Sequence, residues 1–487
     1  MAALAIGSTA QEPAGTPAAQ RSLLGVVKRY ADTLMEHGRD AYGPQKTGLL
    51  LSALDREKLV PLTTRPAAPS GVREGDRAGP REGPLIGSNL FHDQDVLRLF
   101  YALSSLPGES PRYREAADAA LAWFLRHTAS PQTGLLPWGE HLSWNVMTDE
   151  VASGMLKPVH EMGGAWLLWD RCYELAPTES TRFALGLWQH QIADQASGAF
   201  DRHARYDEHK VQPGMEFARH AGFFISTWAQ AYAHTRDETF LTAITTLLGR
   251  IEKRRHPWTG LIDQCCGRKF AVMSQSLSMA IDCDFAAGIV PEPLASRLRA
   301  FAAREDEVFC GLRHEPQARG FLNRVECATG KPYHSRGAQP EPPYSPAWES
   351  HYGGIPTCAI AAMCVRRCDQ AGYEKYRGLI VSAADLYMSA PPDPATDTKP
   401  ATFAQVINVE LAAHRLTGSQ DYLRRAGELA RAAVDLFWED RPLPRASRSV
   451  QHYESSTGAG SLALALLRVH AAANGLPTSI PADDTGR

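Results

Sequence analysis

The chain has 487 residues, of which 44% are hydrophobic and 22% are charged, a composition typical of folded globular proteins. Its 51 Lys and Arg residues against 54 Asp and Glu residues leave a net charge of −3, without the basic excess that nucleic-acid-binding proteins place against phosphates. It has no apolar run of about 18 residues, the length that a transmembrane helix needs. We therefore expect neither nucleic acid nor a membrane as a partner.

The amino-terminal segment and the cysteines bear on the compartment in which the protein works. Residues 1–20 contain a short apolar stretch but no basic start and no long apolar core, so they are predicted to be a disordered tail or a truncated secretion signal. The nine cysteines are odd in number, and Cys265 and Cys266 are adjacent, which favours reduced thiols over a disulfide framework. These features favour the cytoplasm, and the periplasm or secretion is the alternative if residues 1–20 belong to a signal.

A helical repeat organises most of the chain. Four segments carry apolar residues at positions i, i+4, i+7 and i+11, which form one face of an α-helix. These segments contain Tyr113, Ala117, Ala120 and Phe124; Phe240, Ile244, Leu247 and Ile251; Tyr376, Ile380, Ala383 and Tyr387; and Tyr422, Ala426, Leu429 and Ala433. An apolar helical stretch precedes each of them, so each pair is predicted to form a helical hairpin.

The remaining hairpins follow from weaker copies and from the two ends of the repeat. The weaker copies are Phe183 with Leu187, and Leu294 with Leu298 and Phe301. A helix over about residues 453–473 would pair with one over about residues 23–35, which gives about seven hairpins and closes them into a ring. The chain is therefore predicted to be all-α, a single α/α toroid domain over residues 21–475 with a flexible tail at 476–487. An open solenoid is the alternative, but its terminal repeats should look like polar caps, and these do not.

Loops that follow the second helices should gather at one end of such a ring. Two long irregular stretches, residues 61–84 and about 313–346, are rich in Pro, Gly and Arg and are predicted to lie over that end. The sequence has no phosphate-binding loop, no nucleophile elbow of the serine hydrolases and no HExxH zinc motif, which disfavours nucleotide hydrolysis and serine-type hydrolysis.

The densest group of polar side chains lies between Pro137 and Tyr206. It includes His141 and His203 at junctions between hairpins, and Glu161, which with His160 is predicted to open a helix. Two imidazoles and a carboxylate that converge at the end of the ring would suit a divalent ion such as Mn²⁺ or Zn²⁺, with positions open to substrate. The alternative is that the histidines are ordinary loop residues and that Glu161 is a solvated acid at a helix amino terminus.

Six short motifs follow one another over roughly residues 40–210. They are Asp40-Ala41-Tyr42-Gly43, Ser88-Asn89-Leu90, Thr133-Gly134-Leu135 with Trp138-Gly139-Glu140-His141, His160-Glu161-Met162, Trp188-Gln189-His190 and Asp201-Arg202-His203. In this order they resemble the metal-dependent pectate lyases of polysaccharide lyase family two and uncharacterised bacterial relatives. The resemblance implies a helical toroid, a divalent metal held by His141, Glu161 and His203, and Arg202 as the catalytic base.

The resemblance also implies a function, β-elimination on a uronic-acid-containing polysaccharide. Mn²⁺ is the favoured metal, with Zn²⁺ or Ca²⁺ as alternatives, and an acidic polymer bound by a monomer is the expected partner. An arginine is normally protonated, so a base role implies an alkaline optimum; the alternative role for Arg202 is to clamp a uronate. Side chains predicted to bind the substrate by stacking or ion pairing are Trp138, His190, Tyr206, Arg268 and Arg313.

Two other functions remain open from the sequence. An α/α-barrel glycoside hydrolase would need two carboxylates across the cavity, for which Glu140, Asp149, Glu161 and Asp201 are candidates. A carbohydrate-binding toroid without catalysis would need no bound ion.

Overall fold

The computed structural model describes residues 22–66, 84–335, 341–348, 354–372, 374–394, 396–476 and 480. The predicted tail at 1–20, most of the tail at 476–487 and part of each predicted flap lie outside these residues. The helices are α1 (Leu23–His37), α2 (Gln94–Ser104), α3 (Arg112–Thr128), α4 (Trp169–Leu175), α5 (Pro177–Gly186), α6 (Ala218–Thr235), α7 (Thr239–Glu252), α8 (Met273–Ala287), α9 (Leu294–Gly311), α10 (Thr357–Ala371), α11 (Glu374–Tyr387), α12 (Pro400–Thr417), α13 (Gln420–Ala433) and α14 (Ala459–Ala473).

Helices that follow one another along the chain pack as hairpins, from α2 with α3 to α12 with α13, and α14 packs against α1. The first helices of neighbouring hairpins lie side by side from α4 through α6, α8, α10 and α12 to α14, and α14 also contacts α2. The hairpin of α2 and α3 joins the next one through α3 and α4, so seven helix pairs form a closed ring within the described residues. The predicted α/α toroid is confirmed, and the open solenoid is wrong because α14 contacts both α1 and α2.

The repeated apolar face explains why the second helices pack as they do. Tyr113, Phe240 and Tyr376 each lie within the first three residues of their helix and are fully buried, as predicted. Tyr422 holds the equivalent place in α13 but is only partly buried, so the prediction of burial is wrong for this residue; its hydroxyl donates to Asp385 at 2.7 Å.

Short strands lie in the connections between one hairpin and the next. They are β1 (Ala53–Leu54), β2 (Gly87–Ser88), β3 (Leu142–Asn145), β4 (Glu150–Ser153), β5 (Val159–His160), β6 (Ile192–Asp194), β7 (Ala199–Phe200), β8 (Ala204–Arg205), β9 (Phe270–Val272), β10 (Arg324–Glu326) and β11 (Tyr453–Glu454). Antiparallel pairs join neighbouring connections: β2 with β3, β5 with β8, β9 with β10, and β1 with β11. The connections therefore meet at one end of the ring, as predicted. The pair β1–β11 joins the first connection to the last.

Two predicted helix starts are wrong. His160 and Glu161 do not open a helix: His160 ends β5 and pairs with Ala204, because Pro158 before it and the glycines at 163 and 164 after it disfavour helix. The last helix begins at Ala459, since Gly458 has a left-handed backbone (φ 88°) and interrupts the segment that starts at Tyr453.

Within the described residues there is neither a membrane-spanning helix nor a disulfide bond. In that part of the chain, every helix is too short or too polar to cross a lipid bilayer. All nine cysteines lie there too, and each is a free thiol, as the odd count and the adjacent pair indicated.

Candidate metal centre

Three side chains from two connections meet at the end of the ring that carries the strands. His141 lies immediately before β3, Glu161 immediately after β5, and His203 immediately before β8. One donor atom from each lies within 4.8 Å of the other two. Nε2 of His141 is 3.3 Å, and Nε2 of His203 is 3.0 Å, from the same carboxylate oxygen, Oε2 of Glu161. The structure thus brings together the three residues that the sequence singled out as a metal site.

Gly139 and Asn89 fix the backbone that leads into His141. Gly139 forms an isolated parallel bridge with Glu161, has a φ of 90°, and would place a Cβ 1.8 Å from the carbonyl oxygen of Glu161. The amide of Asn89 donates to the carbonyls of Gly139 (2.8 Å) and Leu142 (3.1 Å). Only glycine can take this left-handed backbone conformation so close to another backbone segment. The packing of the site therefore requires a glycine at position 139.

A second set of hydrogen bonds fixes the segment that carries Arg202 and His203. Gln191 donates to the carbonyls of Asp201 (2.8 Å) and Arg202 (2.7 Å), and its Oε1 lies 3.0 Å from Nδ1 of His160. The carboxylate of Asp201 accepts from the backbone N–H of His203 at 2.9 Å. Gln191 therefore fixes the backbone of Asp201 and Arg202, and His160 orients the Gln191 amide. Of the pair His160 and Glu161, it is Glu161 whose side chain contacts the candidate ligands.

Glu161 is fully buried, and both of its oxygens have partners. Oε1 accepts from NH1 of Arg202 at 2.7 Å and lies 3.0 Å from Nε2 of His220, while Oε2 faces His141 and His203. Burial raises the pKa of Glu161, but hydrogen bonds from the three histidines outweigh it and hold the pKa well below its usual value. The candidate metal site is therefore built around a carboxylate whose ionised form is favoured.

His220 is a site residue that the sequence analysis missed. It lies in the first turn of α6 and is fully buried, and burial lowers its pKa to about 4 despite the nearby Glu161, so the ring is neutral at pH 7. A histidine that precedes an apolar helical run usually belongs to the core, and nothing in the local sequence distinguishes His220 from that case.

The guanidinium of Arg202 lies against the carboxylate of Glu161. In addition to its bond to Glu161, NH1 is 3.8 Å from a carboxylate oxygen of Glu140, and the guanidinium lies 5.0 Å from the ring centre of Phe217. This placement puts the predicted catalytic base beside the candidate metal ligands. It also ties the guanidinium to an anion.

The predictions that Trp138 and Tyr206 stack on sugar rings are wrong. Trp138 is fully buried in a cluster with Phe91, Trp166 and Phe183, so no part of its ring is accessible to a sugar. Tyr206 is 7% exposed, and its hydroxyl donates to the carbonyl of Thr128. Both rings belong to the core beneath the site.

His190 lies in a π-helical turn that continues α5, and Arg268 and Arg313 lie in the connections that follow α7 and α9. None of their described contacts joins them to the three candidate ligands. Nδ1 of the partly buried His190 is 2.9 Å from Nδ1 of His209. Arg268 is exposed, and Arg313, whose side chain is 87% exposed, pairs with Glu315 at 2.9 Å. Their substrate-binding roles stay predictions.

The donor set fits a divalent transition ion. Two imidazole nitrogens and one carboxylate oxygen on one side leave the remaining positions for water or substrate, which suits Mn²⁺ or Zn²⁺. Ca²⁺ is a poorer fit, because it prefers six to eight oxygen ligands.

A sequence profile of the periplasmic pectate lyase family matches residues 79–248, a segment that contains His141, Glu161, Arg202, His203 and His220. Among solved structures, a D-mannose isomerase aligns at 10% identity and TM-score 0.46 over 95% of this chain and 100% of that one. A sugar epimerase from a ruminal bacterium (10%, TM-score 0.44, 93% and 99%) and an α-1,6-mannanase from Salegentibacter sp. HEL1_6 in complex with α-1,6-mannotriose (8%, TM-score 0.45, 92% and 99%) also align. These three likenesses are too distant to assign an activity.

Proposed function

We propose that the protein is a metal-dependent polysaccharide lyase that cleaves a pectate-like, uronic-acid-containing polymer by β-elimination. The observation that carries this proposal is the cluster of His141, Glu161 and His203 with Arg202 beside it. All four residues lie in the segment that matches the periplasmic pectate lyase family. A carbohydrate-processing enzyme is the broader form of the proposal.

His141, Glu161 and His203 would hold the ion, for which we favour Mn²⁺. When bound, the ion would stabilise the negative charge that builds on the uronate carboxylate as the C5 proton leaves. The lowered pKa of Glu161 favours its ionised form, so it is available as a ligand without first losing a proton.

Arg202 is the residue that we propose to accept the C5 proton. In β-elimination the C5–H bond breaks, a C4–C5 double bond forms, the C4–O bond breaks, and the departing O4 takes a proton from water. A guanidine can accept a proton only after losing its own, so activity should rise towards alkaline pH. If Arg202 instead only clamps a uronate, it would pair with the substrate carboxylate and another group would take the proton.

A screen of uronate polymers tests reaction and substrate together. Polygalacturonate, alginate and glucuronate polymers are incubated with the protein at alkaline pH with added Mn²⁺, and the unsaturated product is followed by ultraviolet absorbance. We expect absorbance to rise with at least one polymer and to be abolished by a chelator. A protein that binds no metal and forms no product would instead support the carbohydrate-binding role.

The glycoside hydrolase alternative requires a carboxylic acid that donates a proton to the leaving group. Glu161 is unsuitable, because its pKa is held low where a general acid needs a raised one. Oδ2 of Asp149, at the turn between β3 and β4, accepts from the backbone N–H of Gln45 at 2.9 Å, a contact that favours the ionised carboxylate over the acid. New reducing ends without ultraviolet absorbance would support the hydrolase and contradict the lyase.

A further inference from the structure

We propose that His220 is a positioning residue that fixes the rotation of the Glu161 carboxylate, so that Oε2 alone faces His141 and His203. This inference rests on the proposed metal site. His220 is not one of the three predicted metal ligands, and its proposed role is to orient one of them.

The four contacts of Glu161 divide cleanly between its two oxygens. Oε1 is held by NH1 of Arg202 at 2.7 Å and by Nε2 of His220 at 3.0 Å. Oε2 is left to His141 and His203, at 3.3 and 3.0 Å. A carboxylate held in this way presents one oxygen to an ion, and the other oxygen cannot exchange with it without breaking both outer contacts.

His220 is better suited than Arg202 to set this orientation. Its ring is fully buried between Phe217 and Phe223, with centroid distances of 5.9 and 5.5 Å, and its backbone N–H donates to the carbonyl of Phe217 at 3.0 Å. These contacts limit the positions that the ring can take. Arg202 lies on a longer, partly exposed side chain and, in the proposed reaction, has to act on substrate.

Groups that hydrogen-bond to a metal-ligating side chain orient it and tune its affinity, and their loss typically weakens metal binding by about 10- to 100-fold. Loss of His220 would leave Oε1 with one mobile partner. The carboxylate could then rotate about its Cγ–Cδ bond, and the arrangement of the three donor atoms would no longer be fixed.

The test measures Mn²⁺ affinity of the full-length protein, without substrate, by equilibrium dialysis and metal analysis. We expect His220→Ala to weaken Mn²⁺ binding by about 10- to 100-fold, and His220→Gln to recover most of it, because the glutamine amide can donate from nearly the same place as Nε2. The matched control is His234→Ala on the same helix, where the histidine pairs with Asp170 at the surface, and it should bind Mn²⁺ like the wild type.

The outcomes separate this inference from the proposed function. If the wild type binds Mn²⁺ and both His220 variants bind it equally well, the positioning role is wrong and the metal site stands. If the wild type itself binds no divalent ion, the proposed function fails and the positioning role with it. If His220→Ala does not fold, His220→Leu, which fills the space without a donor, replaces it. Weaker Mn²⁺ binding by His220→Leu than by His220→Gln supports donation from this position, and wild-type binding by both variants overturns it.

Discussion

At the residue scale, Arg202 faces two requirements that conflict. As a cation it binds Oε1 of Glu161, and as a base it must be neutral. Arg202→Lys keeps the charge but loses the planar fork of donors. If Arg202 is the base, we expect kcat to fall by at least about 100-fold with unchanged metal content.

Steady-state kinetics on the best polymer, with metal analysis on the same sample, check this. A raised KM with kcat largely retained across alkaline pH would contradict the base and support the clamp. Arg126→Lys is a suitable control, because Arg126 is exposed at the end of α3 and contacts only the carbonyl of Leu175 among its described bonds.

His203 should act through the metal and not through the proton transfer. His203→Ala removes one of the three donor atoms, so we expect the purified variant to lose its ion on dialysis and added Mn²⁺ to restore part of the activity. Metal content before and after dialysis is the measurement. The exposed His127, stacked on Trp123 away from the site, gives a control variant, His127→Ala, that should keep its metal. Full metal retention by His203→Ala would exclude His203 as a ligand.

Sequence reasoning identified the three candidate ligands but not the residues that hold them. His141, Glu161 and His203 stand in recognisable motifs, whereas His220 is one histidine at the start of an apolar helix. Asn89 acts through backbone groups that lie 50 residues further along the chain. Trp138 was misread because an aromatic residue beside a site has the same sequence appearance whether it lines the cavity or supports it.

At the scale of elements, helices were predictable and strands were not. A helix such as α3 shows its apolar face over several turns, so its period is visible in the sequence. The strands next to the site, β5 and β8, have two residues each, too few to show alternation. They form because connections from neighbouring hairpins lie side by side, which is a consequence of the ring and not of local sequence.

The bridge between Gly139 and Glu161 is the element on which the site depends most directly. Gly139→Ala would place a methyl group against a backbone carbonyl and strain a left-handed residue, so we expect a loss of several degrees in Tm together with weaker metal binding. Gly108 supplies a matched control, because it has a similar φ of 81° with nothing within 4 Å of its added Cβ. Gly108→Ala should cost only the backbone strain, about 1–2 kcal/mol, and leave the metal affinity unchanged. Equal effects of the two variants on metal binding would show that the Gly139 contact does not matter.

At the scale of the whole molecule, the ring closes where the first and last helices meet. The hydroxyls of Tyr30 in α1 and Tyr453 in β11 lie 3.2 Å apart, and β1 pairs with β11 beside them. Asp93, fully buried just before α2, lies in the same region, and burial raises its pKa to about 8, although the nearby Ser455 hydroxyl lowers it in part. The seam that closes the toroid therefore contains a carboxyl group that is protonated at neutral pH.

This carboxyl should make the stability of the ring depend on pH. In the unfolded chain an aspartate ionises near pH 4, whereas in the folded protein Asp93 keeps its proton up to about pH 8, so the folded state binds more protons between these values. The free energy of unfolding must then fall as pH rises from about 4 to 8, on the order of a few kcal/mol from this residue.

The variant Asp93→Asn tests this pH dependence, because it keeps the shape of the side chain and removes its ionisation. We expect it to raise Tm at pH 8 and to have little effect at pH 5, measured by thermal unfolding at both values. Asp421→Asn, an exposed residue paired with Arg424, should shift Tm by little at either pH. An equal effect of Asp93→Asn at pH 5 and pH 8 would mean that Asp93 is not protonated in the closed ring, and the seam would then have to hold its charge through polar contacts instead of by burial of a neutral acid.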